Sequence, residues 1–179
     1  VALPPELEAS APSFQHVAAT ELPEHALPGG GTVRVLVGQA WGWTSPVRTA
    51  SPTLYLDISL PPGAALDLPR WADELAVYSP TLPLEVAGVP LSAGEMGVWL
   101  PPGSDTGPAD APLAIQAGAE GARFVVIGGQ ALPQPVRMWW NFVASTREGL
   151  AEAAQRWAAG GFPSIPGETE RVDGPVWRG

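Results

Sequence analysis

The side chains that most often carry chemistry are scarce in this chain. Its 179 residues include no cysteine and two histidines, so disulfides, zinc fingers, iron–sulfur ligation and cysteine nucleophiles are excluded. His16 and His25 lie in a proline-rich stretch, outside the HxH, HxxxH and HExxH patterns that bring imidazoles onto one metal. The carboxylates are scattered singly and no serine lies in a GxSxG turn. We therefore expect no transition-metal site and no serine–histidine catalysis from this chain alone.

Two carboxylates fall in predicted strand or turn positions that a barrel could enclose. An enclosed carboxylate can act as a general acid or base, and Glu85 and Glu95 are the candidates. The alternative is a solvated carboxylate that points outward, and we favour it for both residues.

Tryptophan is the most distinctive residue type, with 8 of the 14 aromatic residues. Trp41 and Trp43 would share one face of an extended segment, because strand side chains alternate. One interpretation of the tryptophans is a cleft that binds a planar ligand. The interpretation we favour is structural: Trp139 and Trp140 would point to opposite faces of a strand, one to the core and one to a neighbouring domain or a docked helix.

The strand pattern predicts an all-β fold. The 21 glycines and 22 prolines, in a chain that is 45% hydrophobic and 15% charged, favour many turns between short strands over disorder. Strands of this kind are typical of a sandwich or barrel. The predicted strands are residues 33–38, 53–60, 64–68, 74–79, 82–87, 89–91, 96–100, 113–117 and 122–128, and residues 101–112 are a predicted loop.

One helix is predicted near the end of the chain. Ser145 and Glu148 fit a capping box, in which the serine is the N-cap and the glutamate is at N3. Glu152 and Arg156 are spaced to pair on one helix face. The glycines at 160–161 predict the end of the helix.

The charge and hydropathy of the chain limit its partners. The net charge is −9 and the sequence pI is about 4.5, so direct binding of nucleic acid is not expected. No apolar run approaches the ~18 residues of a membrane span. We expect a cytoplasmic protein without a membrane partner.

Four segments of the chain follow one family pattern in order: VRVLVGQAWGWTSPV at 33–47, PTLYLDISLPPGA at 52–64, ARFVVIGGQAL at 122–132 and NFVASTREGLAEAAQRWAAGGFPSIPGE at 141–168. With them the chain resembles the C-terminal half of pirin family proteins, which are two-domain bicupins. The resemblance implies an all-β, cupin-type jelly-roll barrel or sandwich with an N-terminal extended arm and one C-terminal α-helix. The expected parts are an arm or inter-domain linker over 1–31, a metal-free cupin barrel over 32–143, a helix packed on the barrel over 144–161 and a coil tail over 162–179.

The resemblance places the metal outside this chain. In pirins an Fe(II) ion is held by three histidines and a glutamate of the N-terminal cupin, a domain that would precede Val1. No residue here matches those ligands, and the segment that could hold a cupin motif, WADELAVY at 71–78, contains no histidine. The chain begins with Val1 rather than methionine, so we expect either that its N-terminus was removed or that it is a piece of a longer protein. We expect no metal or cofactor in this chain.

The leading hypothesis is a non-catalytic cupin half, the structural or regulatory partner of an upstream metal-binding cupin that acts as a quercetin-type dioxygenase. The alternative is a non-catalytic cupin module that binds a small ligand or a protein, and a stand-alone acid–base enzyme is the least favoured. The candidates for ligand or domain contact are Trp41, Trp43, Glu85, Trp139 and Trp140. A homodimer through an exposed tryptophan-rich face is a further expected partner.

Overall fold

The computed structural model describes residues 2–100 and 111–177. Most of the predicted loop at 101–112 therefore lies outside the described residues. Two short 3₁₀ helices are Pro5–Leu7 and Ala19–Glu21, and the α-helix α1 is Arg147–Ala158. The strands are β1 Glu24–Ala26, β2 Thr32–Val37, β3 Gln39–Ala40, β4 Trp43–Thr44, β5 Thr53–Leu60, β6 Ala65–Leu68, β7 Glu74–Tyr78, β8 Leu84–Val86, β9 Val89–Leu91, β10 Met96–Trp99, β11 Leu113–Ala117, β12 Ala122–Gly129, β13 Arg137–Trp139 and β14 Phe142–Ala144.

The strands form two main sheets in which the pairs are antiparallel. The six-stranded sheet has the order β1-β2-β5-β12-β7-β10, and the four-stranded sheet has the order β6-β11-β8-β9. Two hairpins, β3–β4 and β13–β14, complete the described strands. The all-β expectation with one C-terminal helix is confirmed for the described residues.

Alternation along the strands decides which side chains form the core. In β5, Leu54, Leu56, Ile58 and Leu60 are buried, while the residues between them face outward. The same alternation in β11 of the other sheet buries Leu113, Ile115 and Ala117. Because side chains of both sheets belong to one core cluster, the sheets form a sandwich with a shared apolar interior.

The described chain folds as two compact units. The sandwich unit is Ser13–Ala131 and holds both main sheets and the β3–β4 hairpin. The terminal unit is Val1–Pro12 with Leu132–Gly179, and it holds the β13–β14 hairpin and α1. The expected arm at 1–31 is thus divided between the units, and its residues Glu24–Ala26 pair with β2.

The helix α1 begins one residue later than predicted. Its N-cap is Thr146, whose side chain accepts a hydrogen bond from the Gly149 N–H at 3.0 Å. The capping box of Ser145 with Glu148 is wrong, because the Ser145 N–H and hydroxyl both donate to the Glu8 carboxylate, at 2.6 and 2.9 Å. The predicted helix end is confirmed, since Gly160 follows the C-cap with φ +71°.

The predicted pair of Glu152 with Arg156 is not formed among the described residues. The Arg156 Nε donates to the Gly161 carbonyl at 3.0 Å. Its guanidinium carbon also lies 4.6 Å from the centroid of the Phe162 ring. Arg156 therefore contacts the end of the helix and an aromatic ring, rather than Glu152, the partner that the spacing predicts.

An ion pair on the outer face of the six-stranded sheet does join neighbouring strands. The Arg123 guanidinium donates twice to the Asp57 carboxylate, at 2.8 and 3.1 Å. These hydrogen bonds and the carboxylate charge raise the pKa of Arg123 above its ordinary value.

The single α-helix of the described residues is too short to cross a membrane.

Candidate functional site

The interior of the sandwich is filled with apolar side chains. Phe124, Leu56 and Ile58 of the six-stranded sheet and Leu68 and Ile115 of the other are fully buried. The buried polar side chains of the described residues are those of Ser45 and Ser79. The Ser79 hydroxyl donates to the Leu82 carbonyl, so it is already satisfied.

This interior does not fit the metal that cupin relatives imply. Iron in such sites needs imidazole and carboxylate donors. Within residues 2–100 and 111–177, no three histidine, aspartate or glutamate side chains lie close enough to share an ion. The apolar packing of the core offers no donor in their place.

A cleft of about 790 Å³ opens instead at one end of the six-stranded sheet. It lies where β5 begins, β12 ends and β7 begins, since Thr53, Gly129 and Glu74 are neighbours in register. The segments that line this cleft are residues 38–42, 44–45, 47, 49, 52–54, 71–73 and 129–130. All belong to the sandwich unit.

The β3–β4 hairpin forms one wall of the cleft, and two glycines allow its shape. Trp41 and Gly42 occupy its two-residue turn with φ +47° and +85°, the signs of a type I′ turn. Gly38 precedes the hairpin with φ +85°, and a Cβ there would lie 2.3 Å from the Thr53 carbonyl oxygen. The hairpin is therefore held directly against the start of β5.

Two tryptophans meet in this cleft. The ring centroids of Trp41 and Trp71 are 4.6 Å apart with planes at 76°, an edge-to-face arrangement. Trp41 packs against the core, whereas Trp71 is 38% exposed. The cleft thus has an aromatic wall that is anchored on one side and accessible on the other.

Polar groups surround the aromatic wall. Asp73 accepts a hydrogen bond from the Ala131 N–H at 3.2 Å through one carboxylate oxygen. The Gln39 and Gln130 side chains make no hydrogen bond to another described residue, and both line the cleft. Of the described residues that line the cleft, Asp73 is the one that carries a charge.

The first predicted tryptophan pair does not share one face of a strand. Trp41 stands in the hairpin turn, so the segment is not extended there. Trp43 instead stacks on His25, with ring centroids 4.3 Å apart and planes 5° apart. Of this pair, Trp41 is the residue that lines the cleft.

The other predicted site residues lie away from the cleft. Glu85 is exposed on β8. Trp139 and Trp140 do not point to opposite faces, because Trp140 leaves the strand with φ +50° and its ring meets Trp139 edge to face at 6.2 Å. Both join an aromatic cluster in the terminal unit whose members are Trp139, Trp140, Phe142, Trp157, Phe162 and Trp177.

Sequence reasoning missed several residues of the cleft, namely Trp71, Asp73, Gln39 and Gln130. Trp71 and Asp73 lie in the 71–78 segment, which contains no histidine and therefore carried no predicted site residue. Gln39 and Gln130 adjoin glycines at the ends of strands. Glycines beside exposed amides at strand ends are the signal that could have indicated an open strand-end site.

The family comparison agrees with this architecture. Residues 55–163 match the Pirin C-terminal cupin domain. A pirin-like protein of Caulobacter vibrioides is 32% identical over 161 residues, which cover 89% of this chain and 52% of that protein. Pirin of Homo sapiens is 29% identical over 147 residues, which cover 79% of this chain and 48% of pirin.

A solved structure of similar fold is the quercetin 2,3-dioxygenase from Acinetobacter baumannii. Its TM-score is 0.82 at 30% identity, and the match covers 99% of this chain and 57% of that one. The chain thus spans about half the length of the curated relatives it matches. The cupin expectation is confirmed: the chain belongs to the pirin family, in the part formed by its C-terminal cupin domain.

Proposed function

We propose that this chain is the non-catalytic cupin half of a pirin-like protein and that it supports an upstream metal-binding cupin. The observation that carries the proposal is the apolar interior of the sandwich. Side chains such as Phe124, Ile58 and Ile115 occupy the space between the sheets and are at most 1% exposed. Because the described residues offer no cluster of metal ligands, the proposed role of this half depends on the surface that contacts the upstream domain.

The length relation supports an upstream neighbour. The chain matches about half the length of these relatives, and the protein of similar fold from Acinetobacter baumannii is a quercetin 2,3-dioxygenase. In our proposal the whole protein is an Fe(II)-dependent dioxygenase of this type, located in the cytoplasm, and its metal is held entirely by the upstream cupin. The role of this half is to cover and shape that domain.

The outer face of the six-stranded sheet is the proposed contact with the upstream half. Tyr55, Ile127, Ala76 and Val98 are successive neighbours in register across β5, β12, β7 and β10. Ile127 is 41% exposed and Val98 is 57% exposed. A continuous apolar row of this kind is typical of a surface that another domain covers.

Metal content tests this function. The 179-residue chain and a form extended upstream in its reading frame are purified in parallel, and iron, manganese, nickel and zinc are measured by plasma mass spectrometry. We expect about one metal ion per chain in the extended form and none above background in the short one. Quercetin turnover is expected in the extended form alone.

Stoichiometric metal in the short chain would contradict the proposal. Its histidines would then be replaced one at a time, His16→Ala and His25→Ala, to identify ligands. An extended form without metal would overturn the assignment of the iron to an upstream cupin.

A further inference from the structure

The cleft at the end of the six-stranded sheet has no role in the function proposed above. It is formed entirely within the sandwich unit, and its polar and aromatic groups converge on one opening. We propose that this cleft binds an uncharged ring compound that carries several hydroxyl groups. A saccharide and a polyphenol share this chemistry, and the experiment below distinguishes them.

The aromatic wall provides a surface for a ring. In an edge-to-face pair, the ring that contributes its edge keeps both of its faces clear of its partner. Trp41 and Trp71 are such a pair, so one of the two indoles has both faces clear of the other. Trp71 is 38% exposed. Either the C–H face of a sugar or the face of a phenol can lie against an indole placed in this way.

The rim provides hydrogen bonds for hydroxyl groups. Asp73 uses one carboxylate oxygen for the Ala131 N–H, which fixes the carboxylate and leaves its other oxygen to accept. The amides of Gln39 and Gln130 each offer a donor and an acceptor. Since neither amide bonds to another described residue, both can turn toward a ligand without breaking a contact seen here.

The charge of the described lining disfavours an anionic ligand. Among the described residues that line it there is no lysine, arginine or histidine, and Asp73 adds a negative charge. The chain as a whole carries a net charge of −9. The negative charge of Asp73 and of the whole chain would repel a carboxylate or phosphate ligand, and no described lining residue supplies a positive charge to offset this repulsion.

The size and shape of the cleft suit a small molecule. Its volume of about 790 Å³ falls within the range of about 300–1,000 Å³ that is usual for ligand sites. The polar rim of the cleft is open to solvent, because Gln39 and Asp73 are exposed. A ligand with several hydroxyl groups keeps some of them hydrated there, which reduces the desolvation that binding requires.

The test follows the indole N–H signals of the 15N-labelled 179-residue chain during titration with three probes. The probes are methyl β-D-glucopyranoside, catechol and, as an anionic ring, benzoate. We expect the Trp41 and Trp71 signals to shift with the glucoside or with catechol, with a dissociation constant on the order of 1 mM for such small probes. Which neutral probe binds identifies the saccharide or the polyphenol as the source.

Matched variants locate the binding. Trp71→Ala is expected to weaken binding about tenfold, because it removes the exposed part of the aromatic wall. Trp177→Ala removes one tryptophan of the terminal unit instead, and binding is expected to stay unchanged. Gln39→Ala, on an exposed position of β3, is expected to weaken binding as well and serves if Trp71→Ala does not fold.

Three results would overturn the inference. The first is the absence of shifts with both neutral probes, and the second is binding of benzoate as strong as that of catechol. The third is binding as strong as that of the parent chain by Trp71→Ala and Gln39→Ala variants that fold as the parent does. These results are independent of the metal measurement, so the cleft and the proposed function can fail separately.

Discussion

His25 and Trp43 show how a residue of the predicted arm becomes part of the sandwich unit. His25 lies on β1, which pairs with β2, and its ring is parallel to that of Trp43. Trp43 in turn packs against the core cluster. The stacked pair therefore fastens the first strand to the β3–β4 hairpin.

Replacement of His25 tests whether the stacked pair stabilises the sandwich unit. His25→Ala is expected to lower the free energy of unfolding by about 1 kcal/mol, the usual contribution of an aromatic pair. Urea unfolding followed by tryptophan fluorescence measures the change. His16→Ala is the matched control, because His16 is exposed and forms no ring pair or side-chain hydrogen bond with another described residue. An equal loss in both variants would show that the stack does not stabilise the unit.

At the scale of the element, the start of α1 depends on a contact distant in sequence. Ser145 has the side chain of a good N-cap, yet its N–H and hydroxyl are both bound by Glu8. Thr146 is therefore the residue whose hydroxyl faces the free N–H groups of the first turn. The cap shifts by one residue, and Glu148 moves from N3 to N2.

This shift predicts which hydroxyl stabilises the helix. Thr146→Ala is expected to destabilise the helix by about 1 kcal/mol, the usual cost of a lost cap, with faster hydrogen exchange at the Gly149 amide. Thr146→Ser keeps the acceptor and is expected to exchange nearly as the parent does. Exchange at Gly149 that responds to Ser145→Ala but not to Thr146→Ala would restore Ser145 as the cap.

At the scale of the whole molecule, the outer face of the six-stranded sheet carries exposed apolar side chains. Beside the apolar row of Tyr55, Ile127, Ala76 and Val98 lies a second row. It begins at the ion-paired Asp57 and continues through Val125, Tyr78 and Met96. Met96 is 51% exposed. The exposed apolar side chains of these two rows favour association.

We expect the 179-residue chain on its own to pair through this face. Ile127→Asp combined with Val98→Asp should convert a concentration-dependent dimer into a monomer, because association would then require the desolvation of two charges within the first row. Sedimentation velocity at several protein concentrations measures the change. Val89→Asp, at an exposed position of the four-stranded sheet, is the control. A parent chain that stays monomeric at every concentration would contradict the expectation.

Much of the fold was predictable because it depends on local pattern. The strand at 53–60 was predicted with the observed bounds, and β9 and β11 were too. Alternation of apolar residues over a few positions marks a strand wherever it pairs. The scarcity of metal-donor side chains was likewise visible in the residue counts.

The sequence by itself thus determined the longer strands of the two main sheets, the late helix, the family and the lack of a metal-ligand pattern. It did not predict β1 or the β3–β4 and β13–β14 hairpins. Only the tertiary structure decided that Trp41 meets Trp71, that Trp43 stacks on His25 and that Trp139 and Trp140 share one cluster. The physical reason is that these contacts depend on turns with positive φ and on strands that pair across long stretches of chain. Neither a turn's handedness nor a distant pairing follows from the period of nearby residues.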